Sequence, residues 1–76
     1  MKEMIKIIAR ALVDQPNAVS VTEINGSKTS IVELRVAKED IGKIIGRQGR
    51  TADALRTLVN AVSSKAKTRS RLEIID

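Results

Sequence analysis

The residues able to do chemistry are concentrated in one run, Ile41-Gly42-Lys43-Ile44-Ile45-Gly46-Arg47-Gln48-Gly49-Arg50. Gly46 and Gly49 stand three apart, and a glycine pair at that spacing lets the backbone turn sharply with its N–H groups unobstructed by a Cβ. A helical pattern resumes at about Arg50, so the N–H groups and dipole of that helix's first turn face the same space. A phosphate arriving there would meet backbone donors together with Lys43, Arg47 and Arg50, and Gln48 would add an amide. Gly42 reads as a close-packing position. A Gly-x-x-Gly turn is also an ordinary way to join two helices. Its place between two amphipathic segments, with three basic residues around it, gives it more weight.

The residue types that are missing narrow the chemistry further. Among 76 residues there is no cysteine, which excludes disulfides, thiolate metal sites and cysteine nucleophiles. There is no histidine, the usual general base and commonest metal ligand. Phe, Tyr and Trp are absent, so nucleic-acid bases are not held by aromatic stacking. Glu39, Asp40 and Asp53 are the carboxylates nearest the glycine turn, and no suitable base or ligand cluster accompanies them. Neither an enzyme nor a cofactor is expected. No apolar run approaches the ~20 residues of a membrane span and no signal peptide is seen, so a soluble, cytosolic protein is expected.

Charge points toward a polyanion. The net charge is +5, and residues 41–72 hold eight basic residues against Asp53 alone. The remainder holds six basic and eight acidic residues. A solvated basic surface would look the same by composition. Within the basic part, Lys65 and Lys67 suit a helix C-terminus without any ligand, while Arg69 and Arg71 continue the cluster.

Hydrophobic periodicity gives the elements that position the turn. Met1, Met4, Ile5, Ile8, Leu12 and Val13 recur at helical spacing, and Asp14-Gln15-Pro16 closes that helix. Val19 to Ile24 is rich in β-branched residues, and Asn25-Gly26 gives a hairpin signal because both residues tolerate positive φ. Ile31 to Val36 alternates, with Val32, Leu34 and Val36 on one face. Lys38-Glu39-Asp40 places negative charge in the first turn of a helix whose apolar face is Ile41, Ile44 and Ile45. A longer helix follows from about Arg50, with Leu55, Leu58, Val59 and Val62 on one stripe. Ser70 to Ile75 alternates again as a third strand. The expected fold is α+β over residues 1–76 in the order α-β-β-α-α-β, a single domain with three helices on one face of a three-stranded sheet. The crossover is long enough for the third strand to pair parallel with the second.

Ile44-Ile45-Gly46-Arg47-Gln48-Gly49 resembles the signature of the K-homology (KH) family of single-stranded nucleic-acid-binding domains, an aliphatic pair followed by Gly-x-x-Gly between two helices. The element order resembles the type II arrangement. The resemblance covers essentially the whole chain. From Gly46-Arg47-Gln48-Gly49-Arg50 through Ala54-Leu55-Arg56-Thr57-Leu58-Val59 it is similar to the small stand-alone bacterial KH proteins of the KhpA group. Ala52 stands where the generic motif has an aliphatic residue, and Thr51 where the small bacterial group tends to have one. Either change bears on the groove floor or on helix packing.

The resemblance implies a grip on about four unpaired nucleotides, with the Gly46–Gly49 loop, Lys43 and Arg50 on the sugar–phosphate backbone. Ile41, Ile44 and Ile45 are then candidates for groove floor or core, one lining the groove and the others packing inward. Leu34, Arg35 and Val36 are candidates for contacts to base edges, against a strand edge. It also implies RNA as the ligand and a role as a post-transcriptional chaperone or regulator. The partners it implies are a second copy or a larger KH-containing protein of the KhpB (Jag) kind. A four-nucleotide site without aromatic stacking binds weakly, so a second linked site is expected, with the first helix and acidic N-terminal half as candidate dimer surfaces. The alternative is a protein-interaction subunit whose KH fold mainly mediates homo- or hetero-dimerisation.

Overall fold

The computed structural model describes residues 1–75. In chain order it contains α1 (Lys2–Leu12), β1 (Ser20–Asn25), β2 (Ser30–Arg35), α2 (Ile41–Ile45), α3 (Arg50–Lys65) and β3 (Ser70–Ile75). Short 3-10 turns at Pro16–Ala18, Lys38–Asp40 and Arg47–Gly49 precede β1, α2 and α3. The fold is α+β in the expected order. No helix among the described residues is long and apolar enough to cross a membrane.

The sheet order is β1-β2-β3, so β2 is central. It runs antiparallel to β1, with Val21 opposite Leu34, and parallel to β3, with Val32 opposite Leu72 and Leu34 opposite Ile74. That register brings Val21, Val32, Leu34 and Leu72 to one face, where all four are buried. Ile5 and Ala9 of α1, Ile44 of α2, and Leu55 and Val59 of α3 pack into the same cluster. Each fully buried Val, Leu or Ile contributes about 1.5–3 kcal/mol, so this single layer between helices and sheet holds the fold together. Met1 and Met4 pack at its margin.

Two local expectations are corrected. The buried stripe of α3 is Ala52, Leu55, Val59 and Ser63, whereas Leu58 and Val62 are 43% and 39% exposed. The helix meets the core along one narrow line, and the small Ala52 and Ser63 let its two ends approach closely. The Ser63 hydroxyl is satisfied by donating to the Val59 carbonyl at 2.7 Å. The β1–β2 connection is not a tight turn at Asn25-Gly26. Asn25 pairs with Ser30 across a longer loop, and neither Asn25 nor Gly26 has positive φ. Gly26 is required there by proximity, because a Cβ would lie 2.6 Å from the Thr29 carbonyl oxygen.

The end of α3 carries a conformational cost. Thr68 N–H donates to the Ser63 carbonyl at 2.9 Å and Lys67 N–H to the Ser64 carbonyl at 3.0 Å, the two bonds of a Schellman motif. The motif needs a left-handed residue, and Lys67 fills that place at φ 60°. Lys67→Gly is therefore expected to stabilise the fold by about 0.5–1 kcal/mol. For a domain of this size that corresponds to a melting temperature roughly 2–8 °C higher. Thermal unfolding followed by circular dichroism checks it, and an unchanged or lower midpoint would contradict it.

Candidate nucleic-acid interface

The turn between α2 and α3 is built from three unusual backbone conformations, at Gly46, Gln48 and Gly49. α2 ends when the Gly46 N–H donates to the Gly42 carbonyl at 2.8 Å. Gly46 then takes φ 76°, ψ 173°, a region open essentially to glycine alone. A Cβ there would lie 2.7 Å from Thr51 Cβ and 2.9 Å from Thr51 N. Thr51 thus fills the space that a side chain at residue 46 would need. Gln48 follows at φ 57°, ψ 26°, and Gly49 at φ 76°, ψ 10°. These two left-handed residues reverse the chain and start α3.

Gly49 is the N-cap of α3, and no side chain caps the helix. The Arg50 N–H donates to the Arg47 carbonyl, and the N–H groups after it lack the acceptor a Ser, Thr or Asp cap would supply, so an external oxygen suits that place. Holding Gln48 left-handed costs about 1–2 kcal/mol, the kind of strain that collects in ligand-gripping loops.

The loop's side chains are free. Arg47, Gln48 and Arg50 are exposed. Neither arginine lies within 4.0 Å of a carboxylate among the described residues. Lys43 differs, because its ammonium pairs with Asp14 at 3.3 Å, beyond the end of α1. Both partners are well exposed, so the pair is weak and readily exchanged for another anion.

The same region is latched by polar contacts that the residue pattern did not disclose. Asp40 is 1% exposed, and its Oδ2 accepts from the Gln15 N–H at 3.0 Å. The Gln15 side-chain amide donates to Glu39 Oε2 at 2.8 Å. Asp40 is thus a buried anchor turned away from α2, to which it makes no capping bond, and not a surface acid favoured only by a dipole. A carboxylate just before an apolar run looks like an N-cap in sequence, and only the approach of residue 15 reveals its other partner.

The floor and edge residues are partly redistributed. Ile44 is fully buried, while Ile41 and Ile45, four apart on α2, are both half-buried. Two isoleucines remain partly accessible, where one was expected to line the groove. Gly42 is exposed and a Cβ there would meet nothing within 4 Å, so it is not a close-packing position. Leu34 is completely buried, which removes it as a base contact. Val36 lies just past the end of β2, half-buried against the core.

Arg35 is exposed and pairs with Glu33 at 3.4 Å. Strand alternation puts it on the sheet face opposite Leu34, away from the helices that carry the glycine turn. The structure does not bring it together with that turn. Because β2 is paired on both sides, its backbone offers no free edge. The edge beside α3 belongs to β3. The Ser30 N–H takes the Arg69 carbonyl at 2.9 Å, so Arg69, Arg71, Glu73 and Ile75 turn their backbone groups to β2. Ser70, Leu72 and Ile74 turn theirs outward. A cleft of about 270 Å³ lies between α3 and β3, lined by Arg56, Asn60, Arg71, Leu72 and Glu73. The expected pairing of the third strand parallel to the second already makes β3 an edge strand, and the structure bears this out. Which β3 residues turn their backbone groups outward follows from the register.

A Gly-x-x-Gly turn between two helices, seated on a mixed three-stranded sheet in the order α-β-β-α-α-β, defines a KH domain of type II. The chain belongs to the KhpA/KhpB KH-domain family, which it matches over residues 2–74. It is similar to the protein named RNA-binding protein KhpA from Caldanaerobacter subterraneus subsp. tengcongensis, at 57% identity over 99% of this chain and 100% of that one. The Treponema pallidum protein of the same name is 55% identical over 99% of this chain and 94% of its own. That of Clostridium perfringens is 49% identical over 99% and 100%. These relatives are named for binding and not for catalysis. No solved structure matches the chain.

Proposed function

We propose that this protein binds single-stranded RNA, with the Gly46–Gly49 turn holding the sugar–phosphate backbone of about four nucleotides. The observation that carries the reading is the turn itself. Its left-handed backbone leads into a helix start with no side-chain cap, flanked by Arg47 and Arg50, which have no carboxylate partner among the described residues. Ile41 and Ile45 supply an aliphatic surface for unstacked bases, and the free edge of β3 at Ser70, Leu72 and Ile74 supplies donors and acceptors for their edges. RNA is favoured over DNA by the name the relatives carry.

The biological role that follows is that of a cytoplasmic, post-transcriptional RNA chaperone or regulator. A short site without aromatic stacking needs a second linked site for useful occupancy, so it acts beside a second KH protein or another copy. Ile7, 67% exposed on α1, and Leu58 and Val62 on α3 offer the apolar surface such a partner would cover.

Titration of a short unstructured RNA by fluorescence anisotropy, beside a duplex of equal length, tests the reading. With three or four phosphates neutralised, log affinity for the single strand should fall with log salt at a slope of roughly −2 to −3, from about −0.7 per phosphate. Duplex binding should be much weaker, since stacked bases cannot enter the site. Equal affinity for both, or salt-independent binding, would refute it.

A further inference from the structure

The cations near α3 fall into two sets. Lys43, Arg56 and Arg71 each face a carboxylate, Asp14, Asp53 and Glu73 respectively, within 4.0 Å. Among the described residues no such partner reaches Arg47 and Arg50 at the start of α3, or Lys28, Lys65, Lys67 and Arg69 at its far end. No acidic residue occurs in the sequence between Asp53 and Glu73. The negative end of the helix dipole accounts for Lys65 and Lys67. It does not account for Lys28, which comes from the β1–β2 loop, or for Arg69 at the approach to β3.

The far end is also shaped. Lys28, Lys67 and Arg69 line one cleft of about 490 Å³ together with Thr68. Thr68 and Arg69 also line its neighbour, of about 400 Å³, where every lining residue carries a hydroxyl, amide or guanidinium group, Asn60, Ser64 and Arg71 among them. Asn60 and Arg71 in turn line the cleft between α3 and β3 already described. Shared residues thus link the three clefts along one side of α3. A surface of hydroxyl and cationic donors, with no acid in its outer two clefts, has the chemistry that recognises phosphodiester and sugar oxygens.

We propose that the Lys28–Lys67–Arg69 end is a second phosphodiester-binding site, which takes the continuation of a single strand held at the Gly46–Gly49 turn. It rests on the reading of that turn as the first site. The 16 residues of α3 separate the two ends by about 24 Å, at ~1.5 Å per residue. At ~3.4 Å per nucleotide even a stacked strand bridges that distance in roughly seven nucleotides, and an unstacked one needs fewer. A tetranucleotide is taken up by the footprint of about four nucleotides at the turn, and a 12-mer reaches both ends.

The test compares oligouridylates of 4 and 12 nucleotides by anisotropy, with wild type, Arg47→Asp/Gln48→Asp, and Lys28→Gln/Lys67→Asn/Arg69→Gln. Asparagine is chosen at 67 because it tolerates the left-handed backbone. The triple variant should bind the 4-mer as wild type does. It should lose at least tenfold on the 12-mer, with a salt slope shallower by about 2 for three lost phosphate contacts. Lys28→Gln alone, on the exposed loop, should shift the slope the same way by about a third as much, which keeps the test valid if the triple variant melts early. Unchanged 12-mer affinity and slope in these variants would overturn the second site and leave the first standing. Binding of neither oligomer by wild type would overturn both. A loop variant that holds the 4-mer normally would overturn the first reading and the continuous path built on it.

Discussion

Gly46→Ala is expected to cost about 3 kcal/mol or more, while Gly49→Ala costs about 1–2 kcal/mol. The two glycines share φ 76° but differ in everything else. At Gly46, ψ 173° lies in the region that only glycine occupies freely, and a Cβ would press on Thr51 from 2.7 Å at its Cβ and 2.9 Å at its backbone nitrogen. The backbone of Thr51 is fixed in the first turn of α3, so the strain cannot be relieved by turning a side chain. At Gly49, ψ 10° is the ordinary left-handed conformation and nothing lies within 4 Å of a Cβ. Only the backbone preference is lost there. A chain of 76 residues has a total stability of roughly 4–11 kcal/mol, so the first substitution removes a large share and the second does not. Denaturant unfolding of the two variants side by side gives the comparison, and equal losses would contradict it.

This difference separates what the sequence could disclose from what it could not. Two glycines three apart between apolar segments announce a turn, because few other residues accept such backbone angles. That the first is locked by Thr51 and the second is free depends on where α3 starts relative to α2. The strands were legible for a similar reason, since Val32 and Leu34 alternate with polar neighbours and their burial follows from period alone. The hairpin forms as expected, but Asn25-Gly26 signals a left-handed pair that the structure does not contain, and Gly26 is needed for its close approach to Thr29. Leu58 and Val62 lie on the helical stripe by spacing but outside the narrow line that the sheet covers. Asp40 is bonded to a residue 25 positions away, and no local pattern records such a partner. Local propensity and periodicity therefore gave the elements and the turn. The buried anchor and the separation of Arg35 from the turn are products of topology.

Charge reversal in the turn, Arg47→Asp with Gln48→Asp, is expected to abolish RNA binding while leaving the fold as stable as before. Both side chains are exposed, and neither makes a hydrogen bond or ion pair to another described side chain, so their replacement breaks no such bond. Aspartate accepts the left-handed conformation at residue 48 more readily than glutamine does. Two carboxylates just ahead of α3 also interact favourably with its dipole, by about 0.3–1 kcal/mol each. Helix energetics and phosphate binding respond to the same charges in opposite directions. The anion that strengthens the start of α3 occupies the place of the one it would bind and repels it. Three units of charge change beside a phosphate should lower affinity for a short single strand by at least a hundredfold at low salt. The melting temperature should stay the same or rise by a few degrees. Anisotropy titration and thermal unfolding on one preparation give both numbers. Retained binding in the folded variant would remove the turn as the site, and lost binding with a collapsed melting temperature would show that the loop acts through the fold and not on the ligand.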